Sequence, residues 1–449
     1  MSTNQENLKA LAESLVAYGR RQGASEIEIT VVETSRFNVN VREQNVERLT
    51  EAGAKDLGMR VFVEGKLATA GSQDLEEATL HRLVDNAIAR ARLGGVDPFA
   101  GLPELEPIQV SADALKVYDQ AVLNLSPEKK IASAMKVESI GLADKRIKKS
   151  TGSSYTSVVG SWHLANSRGF SGSFRRTTIA CGVGFQAGEG DNLLEDGWFE
   201  ASTSAAGLPR PEAIARKAVE RVTRLIGARK VETQNVPVVF EPPVTAGLLL
   251  GFLAQCIAGP SIDRRQSFLL DKLGLKIGSD LVTIFDDGLL PGGRGSAPFD
   301  AEGVPTRKTL VMDKGLLKSY LLNTYYGRKL KMASTGNAGG VTNFYMAKGS
   351  SKPADIIKSV DKGLLLTGTI GFGRVPTTGD ISTGAFGLWI EKGEVAFPVA
   401  EIAISGNLAD VLKGVEMVGD DLELNDTIAG PTVKVAQMSI GGKGTAKGR

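Results

Sequence analysis

Few side chains in this 449-residue chain have the type and spacing to do chemistry. There are two cysteines, Cys181 and Cys256, far apart and with no CxxC pairing, so neither a disulfide framework nor a thiolate zinc knuckle is present. A lone cysteine can be a nucleophile when a base or a positive charge holds it as thiolate, and nothing beside Cys256 in sequence offers either. The plainer reading of both is a reduced, buried thiol. The two histidines, His81 and His163, lie in the N-terminal half and read as ordinary surface or hydrogen-bonded histidines. Asp286-Asp287 and Asp300 with Glu302 flank the run PGGRG at Pro291–Gly295; they read as solvated loop charges, and their spacing fits no calcium loop. PGGRG and GFGR at Gly371–Arg374 fit no phosphate-binding pattern and read as backbone turns. Arg264 and Arg265, after Asp263, could grip a peptide or form a subunit contact, since a guanidinium fork suits carboxylates and carbonyls alike.

The stretch that must organise the C-terminal half is VPVVFEPPVTAGLLLGFLAQCIAGPSIDRR at Val236–Arg265. Val236–Phe240 predicts a buried strand, Pro242-Pro243 a break, Val244–Ala258 a buried helix with Gln255 as its polar exception, and Gly259-Pro260 a stop. A bilayer needs about 20 apolar residues, more than this helix has. Gly247 and Gly251, one turn apart, predict close approach of another backbone. Buried helices of this kind can carry two zinc-binding histidines and a catalytic glutamate. This one holds no His, Glu or Asp, and Cys256 is its one ligand-type side chain.

The remaining elements follow from pattern. Glu6–Gln22 predicts an amphipathic helix, Glu26–Val32 and Phe37–Val41 two half-buried strands, and Leu57–Val63 with Lys66–Ala70 a hairpin about Glu64-Gly65. Asp74–Arg92 predicts a helix capped by Asp74, and Ser126-Pro127-Glu128 opens another that runs towards Lys145. Ile147–Phe199 is strand-like with a turn at Asn166–Gly169, and Pro211–Ile226 is helical. Leu281–Phe285, the hairpins about Asp313–Gly315 and Glu391–Glu394, and Thr432–Met438 supply strands, with short helices at Asn323–Met332 and Asn407–Lys413. The fold class is therefore α+β: an N-terminal α+β domain over 1–100, a middle α+β domain or continuation over 108–228, and a β-rich C-terminal domain over 236–440 containing one buried apolar helix. Residues 441–449 read as a disordered tail.

Composition narrows the function classes. A 42% hydrophobic and 23% charged content is that of a soluble globular protein. A net charge of +2 suggests neither a nucleic-acid nor an acidic-membrane partner. The polar, amphipathic N-terminal residues carry no apolar signal core, so a cytoplasmic location is the expectation.

Five segments in order resemble the TldD/PmbA family, and within it the PmbA or TldE branch: GMRVFVEGKLATAGSQDL at Gly58–Leu75, LANSRGF at Leu164–Phe170, the run Phe240–Ile277, STGNAGG at Ser334–Gly340, and Thr378–Leu408. The resemblance implies a cytoplasmic two-subunit peptidase. Its TldD-type subunit holds zinc on an HExxxH helix with a later cysteine; its PmbA-type subunit has the same fold without metal. The substrates implied are unfolded peptides, including leader peptides and a labile antitoxin. Carried over residue by residue, Gly251 stands at the first histidine, Phe252 at the glutamate and Cys256 at the second histidine, and Gly414–Pro431 lacks the late cysteine. The expectation is a chain with no catalytic residue and no cofactor of its own, whose partner is a TldD-type subunit carrying Zn. An autonomous hydrolase using Cys256, and a homodimeric peptide-binding module without a hydrolytic partner, are the alternatives.

Overall fold

The structure is a computed structural model and describes residues 3–190, 192–371 and 373–442. Its N-terminal half is one antiparallel sheet of six strands, β1 (Glu26–Arg42), β2 (Asn45–Val63), β3 (Lys66–Ser72), β4 (Ile147–Asn166), β5 (Ser171–Glu189) and β6 (Asn192–Ser202), in the order β3-β2-β1-β4-β5-β6. Helices α1 (Thr3–Arg21) and α2 (Glu77–Leu93) pack on it through Leu15, Ile27, Leu80 and Val84, all at 0% exposure. After the short α3 (Gln120–Leu123), α4 (Pro127–Leu142) and α5 (Pro211–Thr223) cover a second patch through Val137, Phe185 and Val222. Ser126 caps α4 by accepting from the Lys129 N–H, as Ser-Pro-Glu predicts.

Two sequence expectations shift here. The strands expected at Glu26–Val32 and Phe37–Val41 are one strand, because Thr34–Arg36 between them pair with β2 on one side and β4 on the other. That pairing satisfies their backbone whatever the local pattern. The Asp74 carboxylate accepts from the Glu76 N–H, and α2 begins only at Glu77, so Asp74 makes a local turn ahead of the helix instead of capping it.

The C-terminal half is built on a closed barrel. Strands β7 (Gln234–Phe240), β12 (Lys362–Ile370), β14 (Asp380–Glu391), β15 (Glu394–Asn407) and β18 (Val433–Gly441) pair in the ring β12-β7-β18-β15-β14, and β14 returns to β12. Closure leaves these strands no free edge in the ring. A short helix (Leu408–Lys413) follows β15, capped by Asn407; β13 (Arg374–Val375) and β16 (Val415–Val418) extend the sheet. A second sheet joins β8 (Ile284–Asp287), β9 (Lys308–Asp313), β10 (Leu316–Leu317), β11 (Phe344–Met346) and β17 (Ile428–Ala429). Between the two lies the apolar helix, in one core with Val238, Phe240, Leu366, Trp389 and Ile404. The fold is thus α+β with a β-rich C-terminal half around a buried apolar helix. Gly441 pairs with Ala403 as the end of β18, so the tail expected from 441 starts inside a strand; residues 443–449 lie outside the described residues.

Candidate functional site

The apolar helix is three segments on one axis: α6 (Pro242–Val244), a π-helical stretch (Thr245–Leu250) and α7 (Gly251–Cys256). Pro242 sits at the first helical position, where its missing N–H costs nothing. Nothing in the apolar pattern marks the π turns, which recur at functional sites in helices. The helix is nevertheless braced at this point: Arg374 donates from Nη1 to the Gly247 carbonyl at 2.9 Å. Its approach to β17 depends on Gly430, where a Cβ would lie 2.4 Å from Thr245 Cγ2, so only glycine lets the chain pass. After α8 (Gly259–Asp263), α9 (Thr324–Leu330) packs back, tied by Lys329 to Asp263 at 2.8 Å.

One face of this helix opens on a cleft of about 420 Å³. Pro243, Ala246, Gly247 and Gly251 form its floor, β6 supplies Trp198 and Phe199, and the segment before β18 supplies Asn425, Asp426 and Ile428. Phe199 is 58% exposed, an apolar ring left open to solvent at the rim. The cleft therefore unites two stretches that sequence reasoning set side by side only through the family resemblance, the helix and Gly414–Pro431. Among the described residues no atom outside the helix's own backbone lies within 4 Å of where a Cβ on Gly247 would sit, so the close approach expected there is replaced by open space.

Of the three motif positions, Gly251 faces the cleft while Phe252 and Cys256 have 0% exposure in the core. Burial pushes the Cys256 thiol up to about 12, away from the thiolate that nucleophilic attack or metal ligation requires. Most polar groups at the rim are engaged, while Glu423 lines it as an exposed carboxylate. Glu200 accepts from Trp198 Nε1 at 2.8 Å and from Asn425 Nδ2 at 3.2 Å, and Asp426 pairs with Arg294 at 2.7 Å. A catalytic zinc needs three N, S or O ligands and an open position. The residues of this cleft do not fit that demand: a glycine without ligand atoms, a buried ring, a buried neutral thiol, an ion-paired aspartate and a single exposed carboxylate, Glu423. Among the described residues no group of three or more His, Cys, Asp or Glu is arranged to hold a metal ion.

Arg264 and Arg265 are exposed at the end of α8 and line no part of the cleft. His81 stacks on Tyr18 with ring centroids 3.8 Å apart, while His163 is buried with neither ring nitrogen hydrogen-bonded, so it is not the satisfied histidine expected. The carboxylates read as solvated loop charges are buried. Asp286 accepts from Asn337 Nδ2 and the Thr342 N–H, and Asp287 pairs with Lys308. Asp300 accepts from the N–H groups of Glu302, Val304 and Ala338. Glu302 pairs with Arg60, which also pairs with Glu28, each at 2.8 Å, joining the two halves. Burial, first among several causes, pushes the Asp300 carboxyl up to about 7. Asn337, Thr342, Ala338 and Arg60 lie far away in sequence, so no local pattern could have announced them; Glu302 and Val304, two and four residues after Asp300, are its local donors.

Residues 27–91, 121–226 and 233–442 match, in that order, the models of domain 1, the central domain and the C-terminal domain of the PmbA/TldA metallopeptidases. The chain belongs to the PmbA/TldD family, as a PmbA/TldE-type member. It is 34% identical over 429 residues to metalloprotease PmbA of Escherichia coli O157:H7, covering 95% of this chain and 94% of that protein. It is 32% identical over 446 residues to a PmbA homolog of Haemophilus influenzae, with 98% of each covered. The crystal structure of TldE from Thermococcus kodakarensis superposes with a TM-score of 0.87 over 96% of this chain and 100% of that one; at 22% identity this likeness speaks for the fold alone. No helix among the described residues is long and apolar enough to cross a membrane.

Proposed function

We propose that this PmbA/TldE-type chain is the non-catalytic subunit of a two-subunit peptidase. It pairs with a TldD-type subunit that carries Zn and acts on unfolded or leader peptides in the cytoplasm. The observation that supports this most is the cleft itself. Its floor is the apolar helix on which the family resemblance sets the peptidase motif, and the motif positions are a glycine facing the cleft and a phenyl ring and thiol sealed in the core. Such a cleft can hold an extended chain against apolar walls, and its carboxylates, Glu423 and the ion-paired Asp426, have no metal-ligand set beside them to activate water. The buried thiol, pushed up to about 12, counts against an autonomous hydrolase built on Cys256. No observation favours a self-sufficient homodimer over a heteromeric assembly.

The test is reconstitution. The chain mixed with a TldD-type partner should co-elute with it and cleave a disordered peptide, and cleavage should vanish when the partner's motif glutamate is replaced. Cleavage by this chain alone, or by the mixture with the disabled partner, would overturn the proposal.

A further inference from the structure

A second cavity, of about 500 Å³, lies between the N-terminal sheet and the C-terminal loops. Alternate residues of adjacent strands line it from the sheet side, with Trp162 opposite Phe174 in register. Their rings stack at 4.9 Å, and Phe299 closes edge-on against Phe174. Into this aromatic setting projects Arg176. Its guanidinium lies 5.5 Å from the Trp162 ring centroid and 5.6 Å from that of Phe174, and it donates to the Ser296 carbonyl. It forms no ion pair among the described residues, and its Nε is buried without an acceptor. Arg294, on the same wall, also has a buried Nε without an acceptor, its Nη1 being held by Asp426. Burial, and then the neighbouring charge of Arg294, push the Arg176 pKa down to about 10. Asp300, the carboxylate of this cavity, has its oxygens taken by three backbone N–H groups.

A half-buried guanidinium whose Nε is buried without an acceptor, with a like charge beside it, is unfavourable until an anion joins it. The fork geometry matches a carboxylate, and the flat aromatic wall suits the apolar part of the residue that bears it. The cavity also adjoins the cleft on the helix: Thr427 lines one, and its neighbours Asp426 and Ile428 line the other. We propose that this cavity is a carboxylate subsite, in which Arg176 and Arg294 clamp a carboxylate of an extended peptide that runs on into the cleft. This rests on the peptide-handling role proposed above. The carboxylate can belong to the peptide's C-terminus or to an Asp or Glu side chain.

Three disordered peptides distinguish these sources: one with a free C-terminal acid and no Asp or Glu, its C-terminal amide, and that amide with one internal Glu. Binding to the full-length chain is read by calorimetry and by the fluorescence of Trp162. The free acid or the Glu-bearing amide, whichever supplies the carboxylate, should bind about tenfold or more tightly than the plain amide, the worth of charge-assisted hydrogen bonds. Arg176→Gln should erase that preference, and Arg176→Lys should keep part of it. Equal affinity of the wild-type chain for all three peptides overturns the subsite and leaves the peptide-handling role standing. Failure of all three to bind, to the chain alone and to its complex with a TldD-type partner, overturns both.

Discussion

Glu241 offers the sharpest test of how the cleft is held. It closes β7 and precedes Pro242, and its carboxylate accepts from Arg221 Nη1 at 3.1 Å and from Arg224 Nη1 and Nη2 at 2.6 and 2.8 Å. Arg221 in turn pairs with Asp196 of β6 at 3.0 Å. The cluster thus ties α5 to β6 and to the start of the helix, two of the elements that frame the cleft. Glu241→Gln keeps the shape and removes the charge, so no cavity term enters. Breaking a buried pair costs about 3–5 kcal/mol, because the partner charge is left uncompensated. Glu241 and Arg224 keep 16% and 18% side-chain exposure, which lets water relieve part of the cost and places the expectation near the low end, about 3 kcal/mol. Urea unfolding followed by tryptophan fluorescence reads it, Trp198, one of three tryptophans, lying 5.3 Å from the Arg221 guanidinium. The control is Glu47→Gln, which breaks a 3.2 Å pair to Arg42 that is 45% exposed on both sides and should cost under about 1 kcal/mol. A loss for Glu241→Gln no larger than that of the control would refute the reasoning.

Three further outcomes follow from particular contacts. Gly141→Ala improves helix propensity by about 1 kcal/mol, yet its Cβ would lie 1.9 Å from Phe185 Cζ, so chemical denaturation should show a net loss of about 1–3 kcal/mol. Cys181 and Cys256 are both pushed up to about 12 by burial, so a disulfide reagent should titrate neither in the native chain and both after denaturation; rapid native labelling of either contradicts their burial. Burial raises Asp300 from 3.8 to about 7, so the folded state keeps a proton that the unfolded state releases first. Asp300 therefore withdraws stability as pH rises through that window, and Asp300→Asn should flatten the fall in urea midpoint across it; parallel curves for both proteins would exclude the shift.

Much of the frame was legible because its signals are local. The cap read at Ser126 is present, and the short helices expected from Asn323 and Asn407 start there because those side chains accept from N–H groups two or three residues on. Glu64-Gly65 and the Asn166–Gly169 turn join long strands for the same reason. What escaped depends on partners distant in sequence. The union of β1 with β4 and the closing of the barrel between β12 and β14 are long-range pairings that a one-dimensional pattern does not register. Asp286, Asp300 and Glu302 looked like loop charges because Asn337, Ala338 and Arg60, which satisfy them, come from elsewhere in the chain. PGGRG and GFGR read as bare turns, yet each delivers an arginine, Arg294 to the cavity wall and Arg374 to the helix carbonyl at Gly247. The family resemblance sets the motif positions at Gly251, Phe252 and Cys256, but that only Gly251 reaches the cleft is a matter of helix rotation that the sequence pattern does not register.

The most direct measurement is the metal content of this chain purified alone from zinc-supplemented medium. A glycine, a buried phenyl ring and a neutral buried thiol predict zinc at the background of a metal-free control. One tightly held, chelator-resistant zinc per chain would contradict the account.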